Sequence, residues 1–164
     1  QLRAEDSLEV AHGRALDYLS YRPRSEAEMR DYLTDKDFPD TVVEETIARL
    51  GRAGLVDDRE FARYWCDNRA RFRPRGKRML RYELRQKGVP SSAIVEALES
   101  YDESAAMEKV AAEQARRLQH LPPDLARRRL SERLARRGFS YELIRDTLAA
   151  QNYFQPDDES SEED

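Results

Sequence analysis

The sequence predicts an all-α protein, an elongated array of three tandem three-helix repeats, and three observations carry that expectation. Only six Gly and seven Pro interrupt 164 residues that are 38% charged and 39% hydrophobic, a composition suited to helices with much exposed surface. Apolar residues recur at intervals of three and four, the spacing that places them on one helix face. The chain also aligns with itself: Arg22-Pro23-Arg24 returns as Arg73-Pro74-Arg75 after 51 residues, and a third copy follows at an offset of 50. A sustained period of this size marks a stacked repeat, each unit too small to bury its apolar face alone.

Taken in order, the leading helix of the first repeat is expected over 8–21, with Leu16 and Leu19 near one stripe. A second helix over 25–36 is announced by Ser25 and Glu28 as a capping box, in which the hydroxyl and the carboxylate satisfy two free N–H groups. A third runs over 40–52 with Val43, Ile47 and Leu50 as its apolar row. Asp57 and Asp58 read as a helix cap, anions favouring a helix N-terminus, and open the span 58–72, where Phe61, Trp65, Asn68 and Phe72 follow one stripe. On that spacing Trp65 and Phe72 are expected to fill the core, the alternative being that Tyr64, Trp65, Phe72 and Tyr82 stack on exposed bases of a single strand. Helices over 75–87 and 91–100 complete the second repeat, with Leu80, Leu84, Ile94 and Leu98 matching Met29, Leu33, Val43 and Ile47. Spans 103–119, 123–137 and 141–151 give the third; Leu130, Leu134, Ile144 and Leu148 repeat the pattern. Gly88 and Gly138 suit the left-handed residue that ends a helix, and Pro39 and Pro90 the first turn of the next. The domain division that follows is an N-terminal extension (1–9), repeats over 10–56, 57–101 and 102–151, and an acidic disordered tail (152–164), whose end reads DDESSEED and lacks apolar residues to bury.

No apolar run approaches the roughly 20 residues that span a bilayer, and no secretory leader is visible. Cys66 is the sole cysteine, which excludes an internal disulfide and a cysteine-based zinc finger and fits a reducing compartment. A cytoplasmic, monomeric protein with no membrane partner is expected, trimmed at its start because it begins with Gln1. Catalysis has little support. His12 and His120 lack metal-ligand spacing, and phosphate loops, nucleophile elbows and zinc signatures are missing. The chain is therefore read as a non-enzyme that needs no cofactor.

Charge is more informative. The net value of −4 conceals blocks of opposite sign. Residues 1–58 hold eight Lys or Arg against 14 acids, whereas 69–87 hold nine against Glu83 alone, and 116–137 hold eight Arg against Asp124 and Glu132. Lys77, Arg81 and Arg85 recur every fourth residue, with Arg78 adjacent, a spacing that lays cations along a surface as a phosphate backbone requires. Arg71, Arg73 and Arg75 precede them. In the third repeat Arg127, Arg128 and Arg129, followed by Arg133, Arg136 and Arg137, form a second basic zone, with Arg127 and Arg128 as its candidate contacts; three consecutive Arg point in different directions, so at least one is expected in a structural ion pair.

The stretches GLVDDREFARYWCDNR from Gly54, RGKRMLRYELRQKGV from Arg75 and RPRSEAEMRDYLTDKDF from Arg22 resemble the RecX family of regulatory proteins over about residues 10–150. Leu55, Asp57, Asp58, Phe61 and Ala62, then Glu83, Leu84, Lys87 and Gly88, stand where that family has its own patterns; Asp37 departs from a common Gly. The resemblance implies a regulator of the RecA recombinase, usually inhibitory, that associates with RecA filaments on single-stranded DNA in recombination, repair and the SOS response. On that reading Arg71, Arg73, Arg75, Lys77, Arg78, Arg81, Arg85, Arg127 and Arg128 contact nucleic acid, single-stranded DNA first and double-stranded DNA as a second candidate. Two alternatives remain open at this point: a free-standing transcription regulator of helix-turn-helix type, and an adaptor that binds protein alone.

Overall fold

The computed structural model describes residues 4–154, and among these it contains nine helices and no strand. They are α1 (Ala4–Tyr21), α2 (Glu26–Asp35), α3 (Asp40–Arg52), α4 (Asp58–Phe72), α5 (Lys77–Gln86), α6 (Ser91–Glu99), α7 (Glu103–Leu118), α8 (Pro123–Arg136) and α9 (Tyr141–Ala150). The expected order is present. α1 begins earlier than the apolar stripe indicates, and α5 later, because Pro74 and the close approach of Gly76 to Gly138 hold the chain out of the helix up to Lys77. The expected acidic tail falls from residue 155 onward outside the described residues.

The repeat's signature is the way its second helix ends. After α2, the N–H of Asp37 donates to the Thr34 carbonyl and that of Phe38 to the Leu33 carbonyl. After α5, Gly88 and Val89 do the same to Arg85 and Leu84; after α8, Gly138 and Phe139 do so to Ala135 and Leu134. This double hydrogen bond needs a left-handed residue at its pivot. The pivots are Asp37 (φ 66°), Gly88 (φ 73°) and Gly138 (φ 91°), and the residue after the second and third, Val89 and Phe139, is buried. Pro39 and Pro90 then stand at the N-cap rather than inside the first turn.

The chain divides into two compact units that cut through the middle repeat: the chain up to Asn68 with Arg81–Tyr101, and Arg69–Leu80 with the chain from Asp102 onward. In the first, α1, α2 and α3 pack on one another around Ala11, Ala15, Met29, Leu33, Val43, Ile47 and Leu50. α1 buries Ala11 and Ala15 and packs Leu8, Tyr18 and Leu19 against the same core, whereas Leu16, expected beside Leu19 on one stripe, is exposed. Capping ties the repeats within this unit. Ser25 and Glu28 form the expected capping box, and the Ser25 hydroxyl also donates to the Lys87 carbonyl at 2.6 Å. Asp57 caps its own helix by accepting from the Arg59 N–H at 2.9 Å, whereas Asp58 accepts from the Glu26 N–H, capping α2 from outside.

In the second unit α7, α8 and α9 pack on one another over Met107, Val110, Ala111, Leu118, Leu130, Leu134 and Ile144. Asp102 caps α7 and Ser140 caps α9. The loop before α5 is seated here. The Gly76 N–H donates to the Arg137 carbonyl at 2.8 Å, and a Cβ on Gly76 would overlap the Gly138 carbonyl and the Phe139 nitrogen. Only glycine permits that approach of two backbones.

Candidate nucleic-acid interface

The basic stretch of 69–87 separates into two groups because its residues belong to different units. In the first unit, Arg81 and Arg85 are exposed on α5, while Leu84 on the same helix is fully buried. One side of the helix therefore faces the core and another presents guanidinium groups to solvent, the amphipathic division that the spacing predicts. Tyr82 between them is also exposed. Glu83, the one acid of the stretch, accepts a hydrogen bond from the Trp65 indole N–H at 3.3 Å. That contact anchors an indole which also packs on Phe61, with ring centroids 5.8 Å apart.

Lys87 ends α5 differently from its neighbours. Its ammonium sits 2.8 Å from the Glu28 carboxylate and 5.3 Å from the centre of the Trp65 ring, and Arg22 reaches the same carboxylate at 2.6 Å. Burial alone would raise the Glu28 carboxyl, but hydrogen bonds from Arg22, Lys87 and the Ser25 N–H outweigh it and hold the group below its ordinary value. This cluster is a structural tie within the first unit. Beyond the capping box nothing in the sequence points to it, because its members lie up to about sixty residues apart.

The remaining cations are in the second unit. Arg71 and Arg73 are exposed and Arg75 and Lys77 are half-buried. The Lys77 backbone N–H donates to Glu103 at 2.5 Å. Arg78 donates to the Ala135 carbonyl at 2.8 Å, completing the end of α8 as a cation near a helix C-terminus does. Phe72, expected in the core, is 66% exposed: its stripe position is correct, but α4 ends at that residue and no apolar neighbour covers it. The Arg71 guanidinium lies 5.2 Å from the centre of the Phe72 ring.

On α8, Arg127 and Arg128 are exposed. Arg129 pairs with Glu132 at 3.3 Å, the structural ion pair expected of one member of the run. Arg133 donates to Gln114 at 2.9 Å, which removes it from the solvent-facing set. Among the described residues no group of His, Cys, Asp and Glu is arranged to hold a metal ion, and no helix is long and apolar enough to cross a membrane.

Three models of the same family match the chain in succession: RecX, first three-helix domain, over residues 11–50; second three-helix domain, over 57–98; and third three-helix domain, over 101–148. The chain belongs to the RecX family. Among curated RecX relatives, the Regulatory protein RecX of Prosthecochloris aestuarii is 40% identical over 140 residues, covering 84% of this chain and 91% of its own. That of Thermobifida fusca is 34% identical over 154 residues, covering 90% and 83%. The crystal structure of RecX from Lactobacillus salivarius superposes with a TM-score of 0.78 at 26% identity, over 89% of this chain and 96% of that one. These relatives are named regulatory proteins, not enzymes, so the RecX assignment places this chain in a regulatory family with three tandem three-helix domains.

Proposed function

We propose that this protein binds RecA filaments on single-stranded DNA and inhibits recombinase activity, acting without catalysis or cofactor. The observation that supports this reading is the succession of three RecX domain matches along one chain. The exposed cations add a physical route: Arg81 and Arg85 on α5, Arg71 and Arg73 before it, and Arg127 and Arg128 on α8 offer phosphate contacts at intervals. Phosphate neutralisation of this kind gives affinity without sequence choice, which suits a protein that must act wherever a filament forms. Inhibition requires that the protein hold an inactive arrangement of the filament more tightly than an active one, because a ligand shifts an equilibrium only by its differential affinity.

The test is ATP-dependent assembly of RecA on fluorescent single-stranded DNA, with and without this protein, beside its binding to bare single and double strands at two salt concentrations. Loss of filament at substoichiometric protein is the expected result. Unchanged filaments together with sequence-selective duplex binding would assign the chain to transcriptional regulation instead.

A further inference from the structure

The second unit contains a recess of about 300 Å³ walled by the loop before α5, by α7 and by the end of α8, at the lower end of the size range of small-ligand sites. Arg73 and Arg75 line it from the loop, Arg117 from α7 and Arg137 from α8, against a single acid, Glu113. Glu113 is engaged by Arg117 at 3.2 Å. Burial, and then the charges of Arg75, Arg117 and Arg133 against the opposing Glu113, hold the Arg137 guanidinium below its ordinary value. Four arginines thus share a partly desolvated recess with one acid, a local excess of positive charge that attracts an anion. The crowding is built in by the backbone. The Gly76–Arg137 hydrogen bond and the glycine-only contact between Gly76 and Gly138 fix Arg75 and Arg137 beside one another. Phe72 lines the same recess with its ring largely in solvent.

We propose that this recess is a subsite for one nucleotide unit of a single strand, with the phosphate oxyanion seated among Arg75, Arg117 and Arg137 and the adjoining base stacked on Phe72. It rests on the single-strand reading above and adds to it a defined seat, in which Arg117 and Arg137 of the second basic block meet Arg75 of the first. Arginine supplies the planar donors that a phosphate accepts, and an exposed aromatic ring stacks on any base. Exposed cations alone would read a backbone; the ring beside the recess requires a base as well.

The experiment compares the wild-type chain with R75Q/R137Q, F72L and R81Q/R85Q, using fluorescent oligothymidylate, the same strand with abasic sites, and thymidine monophosphate as competitor. R75Q/R137Q is expected to lose about tenfold or more in strand affinity and to flatten the dependence of log K on log salt by about 0.7 for the one phosphate given up. F72L is expected to lose roughly 5- to 100-fold on the intact strand and nothing on the abasic one. Displacement by thymidine monophosphate only at millimolar concentration identifies the ligand as a strand; displacement at low micromolar concentration, lost in R75Q/R137Q, keeps the phosphate seat and identifies it as one for free nucleotide. Wild-type affinity in both R75Q/R137Q and F72L, with binding lost in R81Q/R85Q, overturns the subsite and leaves the single-strand reading standing. Absence of strand binding by the wild-type chain overturns both.

Discussion

At Asp37 a side chain occupies a backbone position that the two later repeats give to glycine. Its φ of 66° lies in the left-handed region, where an L-residue's Cβ crowds the following carbonyl and Asp or Asn is tolerated with strain. Asp37→Gly is expected to stabilise the fold by about 0.5–1 kcal/mol, the left-handed penalty less the entropy cost of glycine in the unfolded chain, seen as a higher denaturant midpoint with unchanged m-value. Glu28 makes the opposite case. Its carboxylate, 11% exposed, satisfies Arg22 and Lys87 at once, so Glu28→Gln leaves two cations without their counter-charge and weakens the capping box. The expected cost is about 2 kcal/mol at neutral pH. Because the folded-state value lies below the ordinary 4.5, the advantage of wild type over Glu28→Gln is fully present above about pH 4.5 and is lost as the pH falls through the depressed value. Parallel denaturation curves of the two proteins from pH 7 to 3 measure it; a constant difference across that range would remove Glu28 from the tie.

At the scale of the helix, local signals and distant ones divide what was legible. The capping box at Ser25, the helix ends at Gly88 and Gly138 and the buried rows of α3, α5 and α8 depend on residues within a turn or two, and the sequence shows them directly. Leu16 and Phe72 sit where periodicity puts them, but their exposure is set by whether another helix covers that surface, and spacing holds no information on that. The same limit hid Asp58 as the cap of α2, the Ser25–Lys87 bond and the meeting of Arg75, Arg117 and Arg137, all contacts across roughly 20 to 60 positions. The exposure of Arg81 and Arg85 on α5 is legible in the same way, and the phosphate contact proposed for Lys77, Arg81 and Arg85 is open to a direct test. Gln in place of Lys77, Arg81 and Arg85 together keeps helix propensity close to that of Lys and Arg and leaves Leu80 and Leu84 buried. Circular dichroism should be unchanged. Single-strand affinity should fall, and the salt dependence should flatten by about 0.7 for each phosphate no longer neutralised; an unchanged slope would take α5 out of the interface.

Across the whole molecule, the sequence repeat and the physical units follow different boundaries. A repeat protein is held by terms within each repeat and between neighbours, and here the middle repeat gives Arg69–Leu80 to one unit and Arg81–Tyr101 to the other. The bonds of the first part are specific: the Gly76 N–H to Arg137, the Lys77 N–H to Glu103, the Lys109 ammonium to the Arg71 carbonyl. A fragment ending at Tyr101 lacks every one of those partners while keeping Ser25–Lys87, Glu26–Asp58 and Trp65–Glu83. Hydrogen exchange on that fragment should therefore show fast exchange at Gly76 and Lys77, protected in the full chain, with protection retained over α2, α3 and α6. The contrast follows from local stability tracking local burial and hydrogen bonding. Equal protection of 76–77 in fragment and full chain would mean that the middle repeat holds itself together, and that the division within α5 carries no energetic weight.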